Sequence, residues 1–450
     1  MPATTPVVLV ALQLPKQSIE EVNDSLRELE RLAATLGYRV IHTMFQARPS
    51  TRTPTAIGDG KLEELAALTG GTGRVERFKR KESKARKSFE PDKGAKPVPE
   101  KKKVEGEKAA LVIFDCELTP SQLHNIEGAV GVPILDRTGV IIEIFSKHAK
   151  TKAAKLQIEI ARLNYLAPRT RATEAEGERA GGGIGSIGSG ESKAELDRRQ
   201  IRDRLKELRD ELDGIATEHH QRRQRRIDEN CIALVGYTNA GKSSMMRALT
   251  GSQVLVANQL FATLDTTVRP LVPAAHPGIL VTDTVGFIKK LPHDLVASFK
   301  STLDEALNAS LLLLVTDASD PAFRSQLEVT RGVLAEVGAG AIPSRVLLNK
   351  SDLLTAEQRA ALVAEFPDAR ATSTLDKADV RALRDEIVGF FEKEMVEEIL
   401  FVKYGGEASI AELRSRMRIV KEDYVDDGVN LTVRGRPDDL ARWKKKRTSA

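Results

Sequence analysis

The stretch CIALVGYTNAGKSSMMRAL, residues 231–249, decides the fold of the half of the chain that contains it. Cys231 to Val235 form a short apolar run that reads as a buried strand. The run breaks at Gly236 into a loop of small residues, and Gly241-Lys242-Ser243 opens a helix. Gly236 to Ser243 fits G-x-x-x-x-G-K-[ST] in the strand–loop–helix setting that a phosphate-binding loop requires. Glycines let successive backbone N–H groups converge on phosphate oxygens, and the helix N-terminus adds its partial positive charge. Gly236, Tyr237, Thr238, Asn239, Ala240 and Gly241 are the expected cradle. Lys242 would reach the β- and γ-phosphates, and the Ser243 hydroxyl would ligate Mg²⁺, with Ser244 beside it in the first turn.

Moving downstream, ILVTDTVG (279–286) reads as a strand ending in Asp283, Thr284, Val285 and Gly286. An acid at the end of a buried strand can hold Mg²⁺ through water, and the Gly286 N–H can meet a γ-phosphate. VLLNKSD (346–352) then places Asn349, Lys350, Ser351 and Asp352 at the end of another strand. A carboxylate accepts from the N1–H and the exocyclic amine of guanine. Adenine offers an acceptor at N1 and no amine at C2, so Asp352 would leave it unpaired. Asn349 can brace the loop while the Lys350 stem packs on the purine. ATSTLD (371–376) follows one strand later, with Ser373 and Thr374 as the expected loop over the base. In this order and spacing the sequence predicts GTP as the nucleotide.

Between the phosphate loop and Asp283 lies NQLFATLDTTVRP (258–270). A threonine there should fold over the γ-phosphate and complete the Mg²⁺ shell, ordering the loop with GTP. Thr263, Thr266 and Thr267 all qualify, and spacing does not choose among them. One position departs from the pattern of Ras-like GTPases, where a glutamine after the D-x-x-G glycine orients the attacking water. Here that position is Phe287, which can orient nothing by hydrogen bonding. The sequence therefore predicts slow hydrolysis unless a partner or another loop positions the water.

The whole chain has 450 residues, enough for two to four domains, with 41% hydrophobic and 30% charged residues, as in soluble globular proteins. No apolar run approaches the ~20 residues of a transmembrane helix, and MPATTPVVLVALQLPK lacks the basic n-region and cleavage site of a secretory signal. Cys116 and Cys231 fall inside predicted strands and read as buried hydrophobes in a reducing compartment. The expected location is the cytoplasm. The net charge of +5 is unevenly distributed. Residues 74–108 alone carry 14 Lys/Arg against 7 Asp/Glu, so the rest of the chain is slightly acidic.

The fold class expected is α/β in four parts. Residues 1–150 alternate strand and helix: VVLVALQL (7–14), a helix over 18–37, YRVIHTMFQ (38–46), LVIFDCEL (111–118), a helix after Pro120, and VPILD (132–136). Alternation argues a small parallel α/β domain. The basic stretch 71–108 interrupts it and should be disordered, either a solvated insertion or an arm attracted to RNA. Residues 151–228 read as a coiled-coil-like helical hairpin, with Leu156, Ile160 and Leu163 on one helix and Ile201, Leu205, Leu208, Leu212 and Ile215 on the other. The glycine-rich loop 181–190 between them cannot form a regular element. Residues 229–395 form the nucleotide domain on a parallel sheet. Residues 396–450 read as strand, helix, strand and a short amphipathic helix, a small α+β domain.

GYTNAGKSS, LFATLD, DTVGFIKKLPHDLVASFKSTL and NKSD together resemble the HflX GTPases, a branch of the translation-factor-related P-loop GTPases. The resemblance extends through LDRTGVIIEIFSKHAKTKAAKLQIEIARLNYLAPR (135–169), through GGGIGSIGSGESKAELDRRQI, and to AIGDGKLEEL (56–65). It places the magnesium threonine of the first switch on Thr263, within Phe261, Ala262, Thr263, Leu264 and Asp265. It implies Lys242, Thr263 and Gly286 as the catalytic set, Ser243 and Thr263 as the metal ligands, and GTP with Mg²⁺ as nucleotide and ion. It further implies binding to the large (50S) ribosomal subunit and its rRNA, with hydrolysis stimulated there and, in some members, splitting of stalled or stress-inactivated ribosomes. Some members are also reported to use ATP through the N-terminal domain. In this chain GDGK reads instead as a turn capping a helix. Ile187 and Ser189 replace the family's Arg and Pro in the glycine loop, which removes one phosphate contact.

Bland readings stand beside these. The glycine loop is either a hinge or, with Arg179, Lys193, Arg198 and Arg199 around it, a contact for RNA phosphates. QRRQRR (221–226) is either a solvated helix end or an rRNA contact. The heptad helices could dimerise, but short connections favour an intrachain hairpin and a monomer. No DNA partner is indicated. A GTPase acting on ribosomes, by splitting them or aiding recycling or biogenesis, is the leading expectation. A switch partnering an RNA-modifying or ATP-dependent RNA-remodelling activity is the alternative. A membrane switch would need a lipidation motif or an amphipathic anchor, and none is seen.

Overall fold

The computed structural model describes residues 4–75, 106–174, 193–224, 230–252, 260–261, 267–275, 278–290, 307–393, 395–404, 410, 413 and 417–448. The chain divides into two compact units, Met1–Lys147 with Lys155–Asp210, and His148–Ala154 with Glu211–Ala450.

The first unit begins with β1 (Thr5–Gln13), α1 (Ile19–Leu36), β2 (Tyr38–Ala47), α2 (Asp59–Thr69), β3 (Leu111–Phe114), α3 (Pro120–Val130), β4 (Ile134–Asp136) and α4 (Arg137–His148). The four strands form one parallel sheet in the order β2-β1-β3-β4. Val7 to Leu12 of β1 are all buried, as expected for a strand covered on both faces. The Ser18 hydroxyl accepts from Glu21 N while the Glu21 carboxylate accepts from Ser18 N, a capping box that fixes where α1 starts. GDGK does open a helix, with Gly58 at the N-cap of α2. The third strand is shorter than the sequence suggested and stops at Phe114. Cys116 therefore lies beyond it and is only half-buried, as is Cys231.

Two buried acids in this unit carry different loads. Arg137, 2% exposed, donates through Nη1 to Asp115 Oδ1 at 2.7 Å and through Nη2 to Glu28, and Asp115 also accepts from Ser25 Oγ at 2.6 Å. Asp136 accepts from Tyr165 Oη and from Arg169 Nη2, each at 2.7 Å, which fastens the next helix to the sheet. That helix is α5 (Lys152–Glu174), followed by α6 (Lys193–Gln224). Arg204 pairs with Glu159 in the first unit, and Lys152 with Glu211 in the second. Of the expected apolar stripe, Leu156, Ile160 and Leu208 are buried, while Leu163, Ile201, Leu205, Leu212 and Ile215 are half-buried. The glycine loop 181–190 lies outside the described residues. So do most of the insertion 71–108 and the side chains of 221–226.

The second unit carries β5 (Asn230–Gly236), α7 (Lys242–Thr250), β6 (Thr267–Pro270), β7 (Ile279–Asp283), β8 (Leu311–Asp317), α8 (Phe323–Glu336), β9 (Ser344–Asn349), α9 (Ala356–Glu365), β10 (Arg370–Ala371) and α10 (Lys377–Glu392). Its sheet runs β10-β9-β8-β5-β7-β6, parallel except for the antiparallel edge strand β6. Ile232, Leu234, Met246, Leu249, Leu313, Val315 and Leu383 form the core on one face of that sheet. The C-terminal part is an antiparallel sheet of β11 (Val396–Lys403), β12 (Arg418–Val425) and β13 (Gly428–Gly435), ordered β11-β13-β12, with α11 (Pro437–Thr448) placing Leu440 and Trp443 in its core. The single strand expected before the last helix is thus a hairpin, turned at Asp426 and Asp427. The helix expected between β11 and β12 falls almost wholly outside the described residues. Among the described residues, no helix is long and apolar enough to cross a membrane.

Candidate nucleotide site

β5 is a central strand between β7 and β8, and its buried run ends at Gly236, where the chain leaves the sheet. Tyr237 to Ala240 form the loop, with Asn239 at φ +61°, and Gly241 at φ +97° starts α7. A side chain at Gly241 would be strained at that φ and would stand 2.2 Å from Asn349 Nδ2. The N-cap of α7 has no side-chain hydrogen bond, which leaves the first-turn N–H groups to a ligand. Ser243 and Ser244 are both half-buried in that turn.

Lys242 is 6% exposed, and its Nζ donates to Gly236 O at 3.1 Å and Tyr237 O at 2.8 Å. The loop thus holds its own lysine in place. Burial pushes the ammonium down from 10.5 to about 8, against the pull of the Asp283 carboxylate. Ser243 Oγ donates to Asp283 Oδ2 at 2.8 Å, which joins the start of α7 to the end of β7. Thr284 Oγ1 donates to Leu234 O at 2.7 Å, and Asp283, Thr284 and Val285 are all buried. Gly286 permits the closest approach: a Cβ there would meet Thr238 Cγ2 at 2.8 Å and Lys242 Nζ at 3.0 Å. The D-x-x-G glycine therefore lies directly against the phosphate loop.

The next residue extends that contact. Phe287 N donates to Gly236 O at 3.0 Å and Thr238 N donates to Phe287 O at 2.8 Å, a parallel bridge between Tyr237 and Phe287. Lys289 N donates to the Tyr237 hydroxyl at 2.6 Å. The Phe287 ring is 2% exposed. The side chain at this position is packed inside the domain.

The residues expected at the base lie at and just beyond the ends of β9 and β10. Asn349, at the end of β9 and 1% exposed, donates through Nδ2 to Ala240 O at 2.8 Å. Asp352 is exposed, and its Oδ1 accepts from Ser373 Oγ at 2.5 Å. Ser373 N donates to Asp379 Oδ2 at 2.9 Å, and Ser351 N to Thr372 O at 3.2 Å. Ser373, expected beside the base, has its hydroxyl on the Asp352 carboxylate. Thr374 follows, half-buried. Lys350 adopts the left-handed conformation, φ +60°, and its Nζ donates to Asp317 Oδ2 at 2.5 Å. Sequence reasoning missed Asp317 and Asp379. Asp317 had a usable signal, an acid closing the apolar run LLLLVTD just as Asp283 closes ILVTD.

The G-x-x-x-x-G-K-S loop, the D-x-x-G segment and the N-K-S-D residues thus converge at the carboxyl ends of β5, β7, β8 and β9, where open parallel sheets bind ligands. Phe261 is described, buried at φ +58°. Ala262, Thr263, Leu264 and Asp265 lie outside the described residues.

A parallel sheet bearing these elements in this order defines a P-loop GTPase domain. Comparisons with known proteins carry this to the family. Residues 23–77 and 68–146 match the model described as GTP-binding GTPase N-terminal, residues 148–226 GTP-binding GTPase Middle Region, and residues 231–350 50S ribosome-binding GTPase. The chain is 54% identical over 440 residues to GTPase HflX of Gluconacetobacter diazotrophicus, covering 97% of each. It is 37% identical over 333 residues to GTPase HflX of Escherichia coli, covering 74% of this chain and 70% of that one. A GTP-binding protein from Sulfolobus solfataricus, solved in complex with GDP, is similar at 22% identity and a TM-score of 0.43, covering 86% of this chain and 99% of that one. The chain belongs to the HflX GTPase family.

Proposed function

We propose that this protein binds the large (50S) ribosomal subunit and there hydrolyses GTP to GDP and phosphate, splitting stalled or stress-inactivated ribosomes or aiding subunit recycling or biogenesis. The observation that carries the reading is the burial of Phe287 at the position where a water-orienting glutamine would stand. A site that binds nucleotide but lacks that group turns over when a partner supplies the missing alignment. The match of residues 231–350 to a 50S ribosome-binding GTPase model supports the choice of partner.

Tyr237 to Ser244 wrap the phosphates, with Lys242 on the β- and γ-phosphates and the Gly286 N–H on the γ-phosphate. Asp352 reads guanine, Asn349 and Ser373 hold the reading loop, and Lys350 flanks the purine. Ser243 and Asp283 present two oxygens 2.8 Å apart, a donor set that fits a hard divalent cation. Ser243 and Thr263 are the proposed Mg²⁺ ligands, with Asp283 accepting from coordinated water. Mg²⁺, when bound, offsets the charge on the phosphate oxygens. The four-part division at 150, 228 and 395, a monomeric state, a cytoplasmic location and rRNA contacts through the N-terminal domain and the helical hairpin complete the proposal.

Co-sedimentation of the full chain with isolated subunits tests the partner. With a non-hydrolysable GTP analogue the protein should pellet with large subunits and remain in the supernatant with small ones. Equal pelleting with both, or with neither, contradicts the reading.

A further inference from the structure

We infer that Asp317 is a positioning residue for the guanine pocket, acting through Lys350. The inference rests on the guanine-nucleotide reading of the site above and adds to it a residue that no motif names. Asp317 closes β8 and lies in register with Asn349 on β9. Its two carboxylate oxygens have separate tasks. Oδ1 accepts from Ser319 N at 3.1 Å and Ser319 Oγ at 2.6 Å, which locks the turn after β8. Oδ2 takes the Lys350 ammonium at 2.5 Å, and the two side chains are only 16% and 26% exposed. The same turn is held from the other side, because Ala318 N donates to Asn349 O at 2.9 Å.

The consequence is a lysine fixed at both ends. At its root, Lys350 holds a left-handed φ of +60°, which a residue with a Cβ keeps only where its surroundings impose it. At its tip, Asp317 anchors the ammonium to a rigid turn. The four-carbon stem between them is then set before a nucleotide arrives. A free lysine stem would lose its rotamer freedom on packing against a purine, and anchoring it in advance removes that loss from the binding step.

The test is GDP binding to the full-length protein, read with a fluorescent GDP analogue in a double-mutant cycle. Asp317→Asn keeps an acceptor for Ser319 and removes the charge that holds Lys350. It should raise the GDP Kd by about tenfold, mainly through faster release. Lys350→Met keeps an unbranched stem and has no ammonium to anchor, so adding Asp317→Asn to it should change Kd by less than about twofold. An equal loss in both backgrounds would mean Asp317 acts only on the fold, and an unchanged Kd in the single variant would mean it does not act on binding; either overturns the inference. Should the asparagine variant fail to fold, Asp317→Ser, whose hydroxyl still caps the turn, carries the same expectation in both backgrounds. If the unaltered protein does not bind GDP, the guanine reading itself fails, which is a separate result.

Discussion

Asn349 Nδ2 donates to Ala240 O at 2.8 Å, so the N-K-S-D segment after β9 and the glycine-bounded loop after β5 are one mechanical piece. The contact is buried, and Gly241 makes it possible, since any side chain there would occupy the place of the Asn349 amide.

Asn349→Ala should therefore weaken the whole nucleotide, not the base alone. Removing a buried donor leaves Ala240 O unpaired, a loss of about 1–3 kcal/mol, which carried into binding is roughly five- to 150-fold in GDP affinity. Calorimetric titration with GDP checks it. An unchanged affinity would mean that the two loops hold their shape independently.

Asp352→Asn should change which purine is accepted. An amide can present a donor where the carboxylate presents only acceptors, so guanine's C2 amine loses its partner and xanthine's C2 carbonyl gains one. GTP affinity should fall by at least about a hundredfold while xanthosine triphosphate binding rises. Ser373→Ala, which releases Asp352 Oδ1, should weaken GTP binding by about tenfold without changing the preferred base. Competition between the two nucleotides measures both effects.

Lys242 gives the site a pH signature. Burial lowers its pKa to about 8, against 10.5 for an unperturbed lysine. Below pH 8 the ammonium is charged in both folded and unfolded chains, and its burial cost is fully present. Between about 8 and 10.5 only the unfolded chain keeps the proton, so this residue's contribution to stability rises with pH across that window. Phosphate favours the charged form. Binding of GDP should thus take up a proton at pH 9 and little at pH 7, and affinity should fall as pH passes 8. Titration calorimetry in buffers of different ionisation enthalpy reads the proton directly.

Phe287→Gln should not restore intrinsic hydrolysis. The position is bridged to Tyr237 through Thr238 N and Gly236 O, and its side chain points into the packed interior. The variant buries an amide in a ring-shaped space, at a cost of about 2–4 kcal/mol in stability. Its melting temperature should drop while its basal turnover stays unchanged. A rise in basal turnover would show that this side chain can reach the attacking water.

Much of this site was legible because its chemistry depends on spacing. Gly236, Asp283 and Asn349 close strands, Gly286 and Asp352 follow within three residues, and Lys242 and Ser243 open the helix after β5, a pattern that backbone geometry imposes and that the strand order brings together. The parallel N-terminal sheet was legible for the same reason, alternating apolar runs with the helix over 19–36. What the sequence hid was pairing between residues far apart. Asp317 on Lys350, Ser373 on Asp352 and Arg137 on Asp115 have no local signature, because a carboxylate at a strand end looks alike whether it holds water, a lysine or a turn. The hairpin of β12 and β13 was hidden differently: its charged, exposed β12 lacks the apolar alternation that marks a strand, and Asp426-Asp427 is a weak turn signal beside Gly428.

On the proposed reading, the large ribosomal subunit supplies what Phe287 cannot. The most direct test is GTP turnover by the full-length protein, alone and with isolated large subunits, with small subunits and ATP as controls. The expected result is a slow basal rate and marked stimulation by large subunits, with none from small subunits. A basal rate that large subunits leave unchanged would contradict it.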